Sequence, residues 1–98
     1  MIRGTTPTLE FVLPFDTSLL AEAYVTLEQS DEVVLDKPLS DCTLDDNKMT
    51  VKLTQEDTLK LKIGLIEVQI RAKTVDGDVI ASDIILTSAQ KILKDGVI

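Results

Sequence analysis

Residues 64–74 read Gly64-Leu65-Ile66-Glu67-Val68-Gln69-Ile70-Arg71-Ala72-Lys73-Thr74, and from Ile66 to Lys73 every second residue is apolar. A repeat of two is that of a β-strand, whose successive side chains point to opposite faces; a helix repeats near 3.6. Ile66, Val68, Ile70 and Ala72 are therefore expected to face a core, with Glu67, Gln69, Arg71 and Lys73 in solvent. The same alternation recurs upstream. Ala21, Ala23, Val25 and Leu27 are interleaved with Glu22, Tyr24, Thr26 and Glu28, and Leu9, Phe11 and Leu13 with Glu10 and Val12. Met49, Val51 and Leu53 alternate with Lys48, Thr50 and Lys52. Shorter strands are expected over Glu32–Asp36 and Asp41–Leu44.

The residues between these runs suit turns. Pro14 and Pro38 have no N–H to give to a ladder and close their strands. Ser30-Asp31 and Asp45-Asp46-Asn47 tolerate turn backbone. Asp76-Gly77 is the strongest hairpin signal in the chain and leads into a last strand, Val79–Thr87. There Val79, Ala81 and Ile85 fall on one face and Ile80, Ile84 and Leu86 on the other. A strand apolar on both faces is expected to be covered on both. Thr54, with Asp57 three residues on, forms a capping box with Asp in place of Glu and predicts one helical turn over Gln55–Leu59, bridging two sheets.

About seven short strands and one helical turn fit an all-β fold, an immunoglobulin-like β-sandwich forming a single domain over residues 1–98. A small barrel is the alternative. The Cys…Trp…Cys core of antibody domains is absent, since Cys42 is the only cysteine and there is no tryptophan. The core must be aliphatic, because aromatic residues make up only 3% of the chain: Phe11, Phe15 and Tyr24. The 44% hydrophobic content is that of a globular protein.

The formal net charge of −7 opposes binding to nucleic acid or to an anionic membrane. No run of 18 or more apolar residues and no signal-like start are present, so a cytoplasmic product is expected. The chain has no histidine, which removes the commonest general base and the Ser-His and Cys-His pairs. One cysteine without histidine makes no zinc site of the usual kind, and no phosphate-binding glycine pattern occurs. No cofactor, metal or catalytic residue is expected. Asp41, Asp45 and Asp46 lack the calcium-loop pattern and read as a solvated turn. Cys42, beside Asp41, reads as a small apolar residue and not as a reactive thiol. Asp83 is expected to serve the backbone at a bulge, with a basic residue of a partner as the other reading.

The remaining feature is apolar. Ile80, Ile84, Leu86, Ile92, Leu93 and Ile98 lie in the last strand and the tail. A domain of this size has limited means to cover them, so they are the candidate partner interface.

Three segments carry a resemblance: Met1-Ile2-Arg3-Gly4-Thr5-Thr6-Pro7-Thr8 with Leu13-Pro14-Phe15-Asp16-Thr17, Val51–Leu59, and Ala81-Ser82-Asp83-Ile84-Ile85. Together they resemble a family of small phage and prophage proteins of Firmicutes hosts. Less closely, the layout is similar to the N-terminal immunoglobulin-like domain of phage baseplate upper proteins, without the extension that there carries a receptor-binding module. The resemblance implies a non-catalytic tail or baseplate component of a virion. Its partners would be other phage structural proteins or, as a homo-oligomer, itself. The alternative is an accessory domain that recognises a host surface carbohydrate or protein, which an exposed Tyr24 with Phe11 or Phe15 beside a groove would favour.

Overall fold

In the computed structural model, which describes residues 1–98, the alternating runs form strands in two antiparallel sheets. In chain order these are β1 (Thr8–Val12), β2 (Leu20–Gln29), β3 (Glu32–Pro38), β4 (Cys42–Asp45), β5 (Lys48–Lys52), helix α1 (Gln55–Leu59), β6 (Gly64–Thr74), β7 (Val79–Ala81) and β8 (Ile85–Ala89). Single 3-10 turns at Thr17–Leu19 and Leu39–Asp41 lead into β2 and β4. One sheet has the order β1-β5-β4. The other runs β3-β2-β6, and β7 and β8 share the far side of β6. In the lettering of immunoglobulin-like sandwiches, the first sheet holds the places of B, E and D, and the second those of C′, C, F and G. A parallel bridge between Ile2 and Gln90 sews the N-terminal residues onto the end of the last strand.

The core lies between the sheets and is aliphatic. Ala23, Val25 and Leu27 of β2, Met49 and Val51 of β5, Leu53, Leu61, and Ile66, Val68, Ile70 and Ala72 of β6 are all buried. Phe11 and Phe15 pack against this cluster from its margin. The alternation thus places every predicted inward residue of β5 and β6 correctly. Ala21 is the exception on β2. The β2–β6 register shifts between Leu20 and Glu22, so Leu20 takes the inward place and Ala21 turns to solvent. One extra residue in a strand reverses the facing of the residues beyond it.

The helical turn forms where the capping box predicts it. The Thr54 hydroxyl accepts from the Asp57 N–H at 3.1 Å, and the Asp57 carboxylate accepts from the Thr54 N–H at 2.9 Å. Asp57 also receives Lys37 of β3 at 2.9 Å, tying the helix to the larger sheet. Arg3 covers the other end of the turn, donating to the carbonyls of Leu61 and Leu59 at 2.6 and 3.0 Å. The Leu59 carbonyl is among those the end of the helix leaves without a partner, and Leu61 lies just past the cap.

Two hairpins differ in how they turn. Between Gln29 and Glu32, Ser30 (φ 51°) and Asp31 (φ 64°) both hold left-handed backbone, as a type I′ turn requires. Neither is the glycine that this backbone favours. Replacing the pair by Asn-Gly is expected to raise stability by about 1 kcal/mol, read as a higher urea midpoint with an unchanged slope. The Asp76-Gly77 signal marks a hairpin, but one with a three-residue loop. The Thr74 N–H donates to the Asp78 carbonyl at 2.8 Å, and Gly77 takes the left-handed place with φ 90°.

Candidate functional site: the β7–β8 edge

The stretch expected as one strand over Val79–Thr87 is two short strands separated by Ser82-Asp83-Ile84. The register shows why. Ala81 pairs with Arg71, whereas Ile85 pairs with Val68. Four residues along this edge thus match three along β6, which is the extra residue of a β-bulge. Ser82 holds the bulge. Its N–H donates to the Ile70 carbonyl at 2.9 Å, and its hydroxyl accepts from the Ile70 N–H at 3.0 Å, standing in for a carbonyl. Gln69 adds a bond from its side-chain amide to the Ser82 carbonyl at 2.9 Å.

The bulge reverses the facing of β8. Ile80 lies opposite inward Ala72 and Ile85 opposite inward Val68, so these two share the core side. Val79, Ala81 and Leu86 lie opposite Lys73, Arg71 and Glu67 and share the outer side. Ile84 joins them, in a small groove with Thr26, Glu28, Glu67 and Gln69. Continuous alternation would have put Ile85 with Val79 and Ala81, and the bulge overrides that expectation.

The expectation that both faces are covered also fails. The larger sheet has four strand positions and the smaller three, so the last position overhangs the core. Ile80 and Ile85 remain 40% and 44% exposed on the core side. Ile84 and Leu86 are 54% and 63% exposed on the outer side. Nothing within the chain pairs with the outer edge of β7. On β8, the N-terminal amine donates to the Ser88 carbonyl, and Gln90 exchanges backbone bonds with Met1 and Arg3. Met1–Arg3 therefore cover the end of β8 and leave Val79–Leu86 open.

The tail residues part from the strand residues. Ile92 turns inward and rests over Gly4 and Leu59. Leu93 and Ile98 are 90% and 91% exposed. The Gln55 side chain holds the Ile98 backbone through both its N–H and its carbonyl, at 2.9 and 3.0 Å. The tail follows β8 past Gly64, while Ile80 sits opposite Ala72. Along β6 that is a separation of about 26 Å at ~3.3 Å per residue. The six candidate residues thus form an edge group of Ile80, Ile84 and Leu86, an exposed tail pair, and one inward residue. Val79 and Ile85 belong with the edge group, and the place of Ile85 on the core side comes from the bulge, which the sequence pattern conceals.

Other candidates are resolved by geometry. Asp83 is exposed at the bulge and makes no side-chain bond; Ser82 does the structural work there. No three residues of the metal-ligating types are gathered into a cluster, and Asp46, at φ 50°, sits in the β4–β5 turn. Cys42 is half-buried; its burial first, and then Asp41, raise the thiol pKa, which leaves it a poor nucleophile. Tyr24 is exposed, and its hydroxyl donates to Glu22 at 2.7 Å, a bond that raises the phenol pKa. It lines a shallow groove of about 210 Å³ with Glu22, Arg71, Ala72, Lys73 and Val79. Phe11 and Phe15 pack against the core and contribute nothing to that groove.

No helix is long and apolar enough to cross a membrane. No protein-family model, no curated protein and no solved structure matches the chain.

Proposed function

We infer that this chain is a non-catalytic assembly module, a structural component of a phage or prophage particle in the tail or baseplate, acting through protein–protein contacts at its β7–β8 edge. One observation carries this reading: the edge Val79–Leu86 is open and apolar on both sides, and β7 and β8 contain no charged residue. Every other edge strand does. β1 has Glu10, β3 has Glu32, Asp36 and Lys37, and β4 has Asp45. Charges on an edge strand keep it from pairing with other chains; here the one charge, Asp83, lies in the bulge between the two strands, and the strands themselves are left suited to a partner. The resemblance of the N-terminal segment, Val51–Leu59 and Ala81–Ile85 to phage and prophage proteins supports the particle as the setting. Synthesis in the bacterial cytoplasm with later incorporation into a virion fits that setting.

The second reading, recognition of a host surface carbohydrate or protein, draws on the Tyr24 groove. It has one aromatic ring and a volume of about 210 Å³, below the roughly 300–1,000 Å³ usual for ligand pockets.

Point substitutions test the edge. Cutting the chain after Leu86 would not, because Thr87–Ala89 pair with β6 and Ala89 is buried in the core. Leu86→Lys leaves a side chain in solvent and is expected to move folding stability by no more than about 0.5 kcal/mol. Capture of particle proteins from a lysate of the producing host is expected to fall at least tenfold with Leu86→Lys, while Tyr24→Ala leaves it unchanged. Capture that depends on Tyr24 and ignores Leu86 would transfer the function to the second reading.

A further inference from the structure

We propose that the open edge Val79–Leu86 takes up an extended, apolar segment of a different protein as an added strand, and that a lysine or arginine of that segment pairs with the carboxylates beside the edge. This rests on the assembly reading and adds the mode of binding and the chemistry of the partner.

The backbone favours strand addition. In an antiparallel pair, alternate residues turn their N–H and C=O toward the neighbour and away from it. Asp78 and Ser82 bond to β6, so Val79 and Ala81 point away. Met1 donates to the Ser88 carbonyl from outside, so Leu86, two residues earlier, points away as well. The chain already places a short extended segment on this side, where Ile2 bridges Gln90 in the parallel sense. A partner strand would continue that position over the open eight residues, about 26 Å at ~3.3 Å per residue. Side chains above and below it would meet Leu86 and Ile84 on one face and Ile80 and Ile85 on the other.

The charge identifies the partner as basic and not as a second copy. Glu28 and Glu67 lie directly opposite one another on the outer face, an arrangement that is unfavourable for like charges. Neither makes an ion pair within the chain. Glu67 also lies opposite Leu86. An added strand would sit two strand spacings from β6, about 9.6 Å, which a lysine or arginine and a glutamate span between them. Asp83, exposed and unbonded at the bulge, adds a third carboxylate on the edge itself. Two copies meeting antiparallel along Val79–Leu86 would centre on the bulge. That would set Asp83 beside its counterpart, between chains that each carry a net charge of −7. The same bulge and charge that guard the edge against its own kind suit a partner bearing a cation.

The test is selection of a random twelve-residue peptide library on the immobilised full chain, and then titration of the selected peptides into the isotopically labelled protein. Enriched peptides are expected to alternate β-branched or aromatic residues with polar ones and to carry lysine or arginine. They should shift and protect the amides of Val79, Ala81 and Leu86. The double substitution Glu28→Gln, Glu67→Gln should weaken them at least tenfold. No enrichment, peptides without basic residues, or shifts confined to other strands would overturn the proposal. So would sedimentation showing that the protein self-associates through Val79–Leu86. If lysate capture still depends on Leu86 while peptides protect no edge amide, strand addition fails and the assembly reading stands.

Discussion

Leu27→Ala is expected to lower the unfolding free energy by about 3–4 kcal/mol, near the upper part of the range for leucine truncation in a packed core. Leu27 has no exposed surface. It sits on β2, a strand paired on both sides, directly opposite Leu35 of β3 and Val68 of β6, both buried. Its neighbours are held in two ladders and have little freedom to close the space left behind. The loss of transferred apolar surface and the residual cavity therefore add. A shift of the urea midpoint at constant slope, monitored by circular dichroism, measures it. Leu86→Ala, on the overhanging edge, is expected to change stability by no more than about 0.5 kcal/mol. Equal losses at the two positions would mean that the edge is part of the core.

Asp57→Ala is the second large loss, about 3 kcal/mol, because it removes one member of a largely buried ion pair and the reciprocal cap together. Lys37 would be left facing an apolar side chain, and the Thr54 N–H would lose its acceptor. The pH dependence identifies the cause. Burial pushes the Asp57 carboxyl upward in pKa, but the Thr54 N–H and Lys37 outweigh it and hold the pKa below the usual carboxylate value. A group whose pKa is lowered by folding stabilises fully above its unfolded pKa, about 3.9 for aspartate. That contribution is lost as pH falls through the lower, folded value. The stability gap between the wild type and Asp57→Asn is therefore expected to be constant at neutral pH and to shrink below about pH 4. A gap that persists into strong acid would assign the loss to packing.

The sequence displays the fold wherever one face is buried and the other wet. The inward residues of β5 and β6 come from alternation alone, and the capping box at Thr54–Asp57 marks the only helix. The edge is less legible. Its apolar residues are plain in the sequence, but covered and uncovered strands can share a composition, and Val79–Leu86 reads equally well as a central strand. What distinguishes the two is a single extra residue at Ser82-Asp83-Ile84, and a one-residue register shift leaves no mark in periodicity over so short a run. Ser82 offers a signal. A small hydroxyl residue within an apolar strand is suited to take over a backbone bond, and here it accepts from Ile70. Ala21 departs from its expected face for the same kind of reason, a register shift between Leu20 and Glu22. Ile92 leaves the expected interface because only the fold brings the tail back over Gly4 and Leu59.

An assembly role at Val79–Leu86 requires that edge to be open, and amide hydrogen exchange measured residue by residue tests this most directly. The N–H groups of Ile80, Ile85 and Thr87 face β6 and should exchange slowly, with the core strands. Those of Val79, Ala81 and Leu86 face away and should exchange at nearly the rate of an unstructured chain. Slow exchange at Val79, Ala81 and Leu86 in the isolated protein would show that the edge is already covered, and the assembly surface would have to lie elsewhere.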